Sequence, residues 1–322
     1  MNKESESRHV GFLLLPKFPL IAFGAAIEPL RAANRITGKY LFKWTILSER
    51  GHSIKAANDV IINSDKVIST NEMDFDLVMV CSGIDVSSLA TPEVLGWLKK
   101  LANNGVQLGA LSTGAEILAR AGLLNGYRCT IHWENEQSFR ETYFNARLTG
   151  GLFEIDRNRL TAAGGTSSLD LMLHWVMKNH GEDLTCAVAE QFIHDRIRAP
   201  SDFQQSIEDQ LMRRRSPKLA DVIRLMGDNI ENPLSPTELA QKVSLTLRQL
   251  ERLFLKHRNH TPRSYYLEMR LRRARQLIQQ TNLSIHDTAV ATGFQSQSHF
   301  TRCYKELFGN TPSHERYRLK SV

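Results

Sequence analysis

Short apolar runs alternate with helical patterns through the first 180 residues of this 322-residue chain. The predicted strands are residues 10–15, 42–47, 76–82 and 106–111, and the predicted helices are residues 21–35, 92–102, 114–121, 167–177 and 183–197. Continuous apolar runs are typical of parallel strands whose two faces are both covered by helices. The pattern therefore predicts an α/β domain with a mostly parallel sheet, helices on both faces, and a site at the carboxyl ends of the strands.

The pattern changes after residue 197. The stretch RAPSDFQQ and the run Arg213–Pro217 are polar, charged and proline-containing, and beyond them the apolar spacing is helical, with no convincing strand. We therefore predict an N-terminal domain at residues 1–197, a linker at residues 198–216 and an all-α domain at residues 217–322.

Two copies of one unit, about 50 residues apart, form the predicted all-α domain. A shift of 50 residues places Leu250, Arg252 and Phe254 on Phe300, Arg302 and Tyr304. In each copy a short helix, capped by Ser235 or Ser284, leads through a tight turn into a second helix, and the turn of copy two contains Gly293. This repeat predicts two helix-turn-helix units.

The second helix of such a unit enters the DNA major groove, with a buried stripe against the domain and its opposite face on the bases. The predicted buried stripes are Leu250, Leu253 and Phe254 in copy one and Phe300, Tyr304 and Leu307 in copy two. The predicted base-reading residues are Thr246, Arg248, Gln249 and Arg252 in copy one and Gln297, Ser298, His299 and Arg302 in copy two. Arginine and glutamine suit this role because they can bond bidentately to guanine and to adenine. The cations assigned instead to phosphate or water are Arg213, Arg214, Arg215, Arg270, Arg272 and Arg273.

The charge distribution indicates a polyanionic partner for the C-terminal domain alone. Residues 213–322 contain 20 Lys and Arg against 9 Asp and Glu, a net +11, whereas the whole chain is only +7. The rest of the chain is therefore mildly acidic. Promoter DNA is the expected partner of the basic part.

The composition suggests no metal, cofactor or membrane segment. The four cysteines, Cys81, Cys129, Cys186 and Cys303, lack the spacing of a metal site or a disulfide framework, so buried reduced thiols are expected. The polar start and the short first apolar run predict neither a signal sequence nor a membrane span. A cytoplasmic protein without a membrane partner is the expectation.

The C-terminal segment of residues 217–319 resembles the DNA-binding domain of the AraC/XylS family. The stretch IHDTAVATGFQSQSHFTRCYKELFGNTPSHERYR carries this resemblance. The family implies two helix-turn-helix units joined by one long helix, here residues 262–280. Such a connection would place the two recognition helices about one turn of DNA, roughly 34 Å, apart.

The stretch LGALSTGAEILARAG has the form of a nucleophile elbow around Ser112, with the small residues Ala110 and Gly114 on either side. His132 in CTIHWEN is a possible base and Glu28 in AAIEPLRAANR a possible carboxylate. A serine hydrolase or amidase that uses Ser112 and His132 is therefore one hypothesis.

A structural interpretation of the elbow stands beside the catalytic one. Thr113 and Glu116 have the spacing of a capping box, which would start the following helix without any catalytic role. His132 lies beside Trp133 in the sequence, and such a histidine is commonly packed or hydrogen-bonded rather than catalytic. We predict no catalytic residues and regard Ser112, His132 and Glu28 as a degenerate site.

Residues 10–194 resemble the PfpI-like branch of the class I glutamine amidotransferase fold. The supporting stretches are IEPLRAAN, LSTGAEILARAGLLNGYRCTIHWE and TAAGGTSSLDLMLHWV. Catalytic members have cysteine at the elbow, whereas this chain has Ser112. A serine hydroxyl is far less acidic than a thiol, so a helix N-terminus that activates cysteine does not by itself activate serine.

The order of the two domains resembles the amidotransferase-like transcriptional regulators of the AraC family. The resemblance implies sensing of small nitrogenous metabolites such as glycine betaine, carnitine or arginine, and activation of genes for their breakdown. It also implies a homodimer, with RNA polymerase as a further partner. A ligand-independent DNA-binding protein is the remaining alternative.

The former active-site cleft would then bind the inducer. The predicted ligand-binding residues are Glu28, Ser112, Thr113, His132, Trp133, Glu134, Gly165 and Thr166. A carboxylate would suit the amides after Ser112 and those of residues 164–166, because helix N-termini attract anions. A cationic nitrogen would suit Glu28, Glu134 and an aromatic face, either Trp133 or Phe23.

Overall fold

The computed structural model describes residues 7–69, 74–83, 86–202, 204, 215–281 and 283–320. The chain divides into two compact units, residues 1–204 and 205–322. Residues 205–214 of the predicted linker, which include Arg213 and Arg214, lie outside the described ranges. The limits predicted for the linker, 198 and 216, therefore stay predictions.

A mostly parallel sheet forms the centre of the first unit. Its strands and two small ribbons are β1 (Arg8–Leu14), β2 (Phe42–Ser48), β3 (Ser53–Lys55), β4 (Ile61–Asn63), β5 (Lys66–Val67), β6 (Leu77–Ser82), β7 (Gln107–Ser112), β8 (Arg128–Cys129), β9 (Arg147–Leu148), β10 (Phe153–Asp156) and β11 (Arg159–Ala162). Among the described residues the main sheet has the order β10-β11-β7-β6-β1-β2-β5, and only the β10–β11 pair is antiparallel. The predicted mostly parallel sheet is confirmed.

Helices cover both faces of this sheet, as the sequence predicts. They are α1 (Leu20–Thr37), α2 (Val86–Leu89), α3 (Pro92–Asn103), α4 (Gly114–Arg120), α5 (Glu136–Thr142), α6 (Ser167–His180) and α7 (Glu182–Gln191), with a 3-10 turn at Trp133–Asn135. Phe12 belongs to the core beneath α1, α6 and α7, whereas Leu13 belongs to the core beneath α3 and α4. The two cores are separate because successive side chains of a strand point to opposite faces.

One predicted helix of the first unit is too long. The helix predicted at residues 183–197 ends at Gln191, because Ile193 has a left-handed φ of +53°. The amides of Ile193 and His194 close this end by donating to the carbonyls of Glu190 and Ala189. The sequence pattern also missed β3, β4, β5 and β8 to β11, since these strands have only two to four residues each.

The second unit is helical throughout its described residues. Its helices are α8 (Pro217–Asp228), α9 (Pro236–Lys242), α10 (Leu247–Arg258), α11 (Pro262–Gln280), α12 (Ile285–Ala291), α13 (Gln297–Phe308) and α14 (Pro312–Lys320). Tyr266 of α11 packs in the core of copy one, and Leu271, Ala274 and Ile278 pack in the core of copy two. The predicted long helix at residues 262–280 is confirmed and serves both cores.

The recognition helices α10 and α13 bury most of the predicted stripes. Leu250, Phe254, Phe300 and Tyr304 are fully buried, and Leu253 is half-buried. The prediction for copy two is wrong at its end, since Leu307 is 40% exposed. Cys303 is buried instead, and Phe308, one position after Leu307, packs against the core.

The thiols are free, but not all of them are buried. Cys81, Cys129 and Cys303 are buried, whereas Cys186 on α7 is exposed, so the expectation was wrong for that residue. Burial raises the pKa of Cys129 to about 12. Within the described ranges, none of the helices combines the length and apolar character of a membrane span. The same residues contain no group of three or more His, Cys, Asp or Glu placed to hold a metal ion.

Candidate functional site

The strand-to-helix turn predicted at Ser112 is present. Ser112 is the last residue of β7, its φ is +59°, and it is 7% exposed. A left-handed backbone is costly for a residue with a side chain, and such strain is typical of an elbow. Gly114 is required here, because a Cβ at this position would lie 2.3 Å from the Val80 carbonyl oxygen.

The loop before α6 lies directly against the elbow. Gly164 has a φ of +108°, and a Cβ on it would lie 3.0 Å from Ser112 Cβ. Thr166 is the N-cap of α6 but makes no side-chain capping bond. The fold thus brings the loop that holds Gly165 and Thr166 beside Ser112, as the hypothesis of a ligand site at the strand ends requires.

Part of the predicted anion-binding backbone is already occupied. The Gly164 amide donates to Ser167 Oγ at 3.1 Å, and that hydroxyl donates back to the Gly164 carbonyl at 2.7 Å. The prediction that the Gly164 amide would bind a carboxylate is therefore wrong. The amides of Gly165 and Thr166 remain as the candidate donors.

The segment that contains His132, Trp133 and Glu134 does not form a catalytic pair with the elbow. His132 Nδ1 lies 3.7 Å from Glu134 Oε2, and its ring lies 5.7 Å from that of Trp133. Burial lowers the pKa of His132, although Glu134 partly opposes this effect, so the imidazole is neutral at neutral pH. Within the described residues, His132 makes no hydrogen bond to Ser112.

The other predicted ligand residues differ in their exposure and in the contacts that they already make. Trp133 is 51% exposed and so can present an aromatic face. Glu28, on α1, is half-buried and already pairs with Arg31 at 2.6 Å. Phe23 packs edge-on against Phe12 in the core, at 5.5 Å between ring centroids, so its predicted role as an aromatic face for the ligand is wrong.

The predicted capping box after the elbow does not form. Thr113 Oγ1 donates to the Gly83 carbonyl at 2.5 Å instead of accepting a bond from the first turn of α4. Glu116 Oε1 accepts from Arg120 Nη2 at 3.0 Å. The T-x-x-E spacing was therefore misleading, because Thr113 has helical rather than extended backbone angles.

Sequence reasoning missed a buried ion-pair network at the start of α6. Asp170 is fully buried, and its Oδ2 accepts from Arg198 Nε at 2.9 Å and from Arg198 Nη2 at 2.6 Å. Its Oδ1 accepts from the Arg198 amide at 2.8 Å and contacts His194 Nε2 at 2.9 Å. Arg198 Nη2 also donates to Thr166 Oγ1 at 2.8 Å. No local pattern could reveal this network, because 28 residues separate Asp170 from Arg198.

A second missed contact joins Gln204 to the segment next to His132. Gln204 Nε2 lies 3.0 Å from Thr130 Oγ1, 2.9 Å from the Ile131 and Gly151 carbonyls, and 3.3 Å from Glu136 Oε1. Its side-chain oxygen, Oε1, is buried and has no hydrogen-bond partner among the described residues. The predicted linker at residues 198–216 thus begins with residues that are bonded to the first unit.

The predicted base-reading residues of copy one lie at the exposed start of α10. Thr246 and Gln249 form a capping box in which the Thr246 hydroxyl accepts from the Gln249 amide and the Gln249 side chain accepts from the Thr246 amide. Their polar groups are therefore engaged in starting the helix. Arg248 and Arg252 are exposed.

The recognition helix of copy two, α13, begins with a different cap from that of copy one. Ser296 is the N-cap of α13, and its hydroxyl accepts from the amide of His299. The predicted reading residues that are exposed are Gln297, Ser298, His299 and Arg302. The His299 ring also packs on Phe294, at 5.7 Å between centroids. Because Ser296 makes the cap, Gln297 and Ser298 do not have to.

Arg270 has a structural role rather than the predicted phosphate or water contact. Arg270 Nε and Nη2 donate to the carbonyls of Thr292 and Gly293, each at 2.7 Å. The guanidinium also stacks on the Phe294 ring at 4.3 Å. The long helix α11 thereby holds the turn of copy two.

The other cations predicted to touch phosphate or water divide into exposed and buried ones. Arg215 is exposed, and Arg272 is exposed and bonded to Glu268 at 2.6 Å. Arg273 is only 6% exposed, so the prediction is wrong for it as well.

Two family models match this chain. Residues 12–178 match the DJ-1/PfpI family, and residues 239–318 match a helix-turn-helix domain. The chain is 42% identical to the HTH-type transcriptional regulator GbdR of Pseudomonas aeruginosa, over 95% of this chain and 83% of that protein. It is 43% identical to the HTH-type transcriptional regulator CdhR of the same species, over 96% and 92% of the two chains. A crystal structure of an AraC family transcriptional regulator from Pseudomonas putida is 33% identical and covers 57% of this chain and 99% of its own, with a TM-score of 0.54.

Proposed function

This chain belongs to the helix-turn-helix transcriptional regulators that carry a DJ-1/PfpI domain, and we propose that it is an activator controlled by a small zwitterionic metabolite. The metabolite binds the first unit beside Ser112. The candidates are glycine betaine, carnitine and arginine. The products of the regulated genes break down the same class of compound.

The observation that carries this proposal is the elbow without a catalytic pair. Ser112 has the backbone of a nucleophile, and the loop of Gly164 to Thr166 lies against it. Its predicted base, His132, contacts Glu134 instead. A serine that no histidine of the described residues hydrogen-bonds is a weak nucleophile, which supports binding rather than turnover.

The chemistry of the site suits a molecule with a carboxylate at one end and a cationic nitrogen at the other. The Gly165 and Thr166 amides lie at the N-terminus of α6, where the helix dipole favours a negative charge. The half-exposed Glu134 and the exposed ring of Trp133 can contact a cation. These groups, with Ser112, His132 and the backbone amide of Thr113, are the proposed ligand site.

The second unit reads promoter DNA through α10 and α13. The proposed base contacts are made first by Arg252 and Arg302, which are exposed on equivalent positions of the two recognition helices. Homodimerisation and contact with RNA polymerase complete the proposed activator. Coupling requires that the ligand bind more tightly to the DNA-competent state, because a ligand with equal affinity for both states shifts nothing.

Thermal shift of the full chain against glycine betaine, carnitine and basic amino acids tests the ligand class. Binding to the folded state stabilises by RT ln(1 + [L]/Kd), so a weak ligand becomes visible at high concentration. At least one compound should raise Tm and also change expression from a reporter promoter. A reporter that ignores every compound which binds would favour the ligand-independent DNA-binding alternative.

Replacement of Ser112 tests the enzymatic alternative. We expect no ester or amide hydrolysis by the wild-type chain and no loss of reporter control in Ser112→Ala. Ser112→Cys, which restores the residue of the catalytic relatives, serves as the control for the rest of the site. Hydrolysis by the wild type that Ser112→Ala abolishes would overturn the proposal that the site only binds.

A further inference from the structure

Glu136 is a half-buried carboxylate. It is the first residue of α5 and follows the 3-10 turn that holds Trp133 and Glu134. Burial raises its pKa, and Arg140 one turn later opposes this effect only in part. Within the described residues, no Lys, Arg or His forms an ion pair with Glu136. A buried carboxylate normally has such a partner, because desolvating an unpaired charge is costly.

The hydrogen-bond donor that the structure gives this carboxylate is a weak one. Gln204 Nε2 lies 3.3 Å from Glu136 Oε1, while the same nitrogen lies within 3.0 Å of three other acceptors. An amide nitrogen has two hydrogens, so these four acceptors compete for them. Gln204 Oε1 is buried and has no partner in the described part of the chain, which adds a desolvation cost to this arrangement.

Gln204 is also the last residue of the first unit. We define the clasp as residues 198–202 together with Gln204. One end is the bond network of Arg198 with Asp170. In the middle, the Leu152 amide donates to the Pro200 carbonyl at 3.0 Å. The other end is Gln204, and the chain continues from there to the second unit.

The two ends of the clasp differ in strength. The Arg198 end joins a cation to a fully buried carboxylate through several charge-assisted bonds, and removing one partner of such a pair is strongly destabilising. At the Gln204 end the donor is one neutral amide, and among the described residues the oxygen of that amide has no hydrogen-bond partner. The Gln204 end is therefore the weaker of the two.

We infer that Glu136 is the counter-ion for the cationic nitrogen of the ligand. Gln204 is hydrogen-bonded to this carboxylate until the ligand binds to it. A cation bonds to a carboxylate more strongly than a neutral amide does. Its arrival removes the longest of the four contacts that hold Gln204 Nε2 and so lowers the free energy needed to release Gln204 from the other three. The clasp then opens at its second-unit end, and ligand binding reaches the DNA-binding helices through the chain itself. This inference rests on the proposed ligand-sensing function.

Glu136→Gln in the full chain tests the counter-ion, with Glu141→Gln as the matched control. Glu141 lies on the same helix, is exposed, and bonds to Gln137. With the compound that stabilises the wild type as the probe, Glu136→Gln should weaken binding about tenfold or more, while Glu141→Gln binds as the wild type does. Glu136→Asp, which keeps the charge on a shorter side chain, should fall between them and replaces Glu136→Gln if that variant does not fold.

Gln204→Ala tests whether Gln204 and the ligand compete for the Glu136 carboxylate. It removes the competitor, so the probe should bind more tightly, by about threefold or more, and DNA affinity without the probe should approach the value of the wild type with the probe. The inference would be overturned if Glu136→Gln bound the probe as tightly as the wild type does. It would also be overturned if Gln204→Ala changed neither the probe affinity nor the DNA affinity. If no compound stabilises the wild type, the proposed sensing function fails. If the compounds stabilise the wild type and Glu136→Gln equally, only the inference about Glu136 fails.

Discussion

The two helix-turn-helix copies share one sequence pattern but are held together differently. In copy one the turn contains Ser244, whose φ is +54°, and the recognition helix starts with the closed capping box of Thr246 and Gln249. In copy two the turn contains Gly293, whose φ is +75°, and Arg270 bonds to its carbonyls. The helix caps are 49 residues apart before the turn and 50 after it, so the turn of copy two has one residue more.

This difference shows that equal positions in a repeat do not imply equal roles. The Gln249 side chain closes a capping box, whereas the side chain of His299, the equivalent residue 50 positions later, packs on Phe294 and leaves the cap to Ser296. The turn of copy one tolerates a serine in the left-handed region. The turn of copy two lies so close to Ile230 and Pro233 that only glycine fits.

Gly293→Ala should have the largest effect on the second unit. A Cβ would lie 2.6 Å from the Ile230 carbonyl oxygen and 2.7 Å from Pro233 Cγ, in a left-handed backbone. Strain and overpacking together should lower the stability of this unit by roughly 3 kcal/mol. Calorimetry of the full chain measures the loss. Ser244→Ala, the matched change in copy one, should alter stability by less than about 0.5 kcal/mol, and equal losses in both variants would remove the contrast between the turns.

Arg270→Ala should be the next largest change. It leaves the carbonyls of Thr292 and Gly293 without their donor and removes the stacking on Phe294. Bonds to a charged group are worth about 1.5 to 3 kcal/mol, so we expect a loss of roughly 2 kcal/mol in chemical denaturation. Arg272→Ala on the same helix removes only an exposed i,i+4 pair and should cost less than about 0.5 kcal/mol. A similar cost for both arginines would show that Arg270 does not hold the turn.

Arg252→Ala and Arg302→Ala test whether both copies read bases. Each should lower specific DNA affinity by roughly 1 to 3 kcal/mol and relax the base preference at one position of the operator. The two relaxed positions should lie about one turn of DNA apart, since each recognition helix occupies its own groove segment. Selection from random DNA sequences with each variant measures this. An equal loss on all sequences would assign the arginine to phosphate instead.

The smallest expected effects distinguish Gln249 from Gln297. Gln249→Ala opens the capping box and should lower stability by about 0.5 kcal/mol, because one orphan amide loses its acceptor. Gln297→Ala should leave stability unchanged and should affect DNA binding only. Thermal denaturation and DNA titration of both variants make the comparison. Loss of stability in Gln297→Ala, without any change in DNA affinity, would contradict it.

Most of the strands and helix caps that depend only on residues close in sequence were predictable from local sequence patterns. The strands β1, β2, β6 and β7 and the caps at Ser235 and Ser284 form where the pattern places them, and the long helix α11 forms where the family resemblance places it. The elbow was also predictable, because small residues must flank a strained turn. The short strands were not predictable, since runs of two to four residues carry too little periodicity.

The sequence by itself therefore determined the fold class of both units, the repeat, and the candidates for contact with DNA and ligand. Only the tertiary structure decided which candidates are available. It placed Phe23 in the core, gave Thr113 to the Gly83 carbonyl, and used Arg270 to hold a turn. It also joined Arg198 to Asp170 and Gln204 to Glu136. The physical reason is that periodicity specifies which face of an element is buried, whereas a polar side chain takes its partner from residues that only folding brings near.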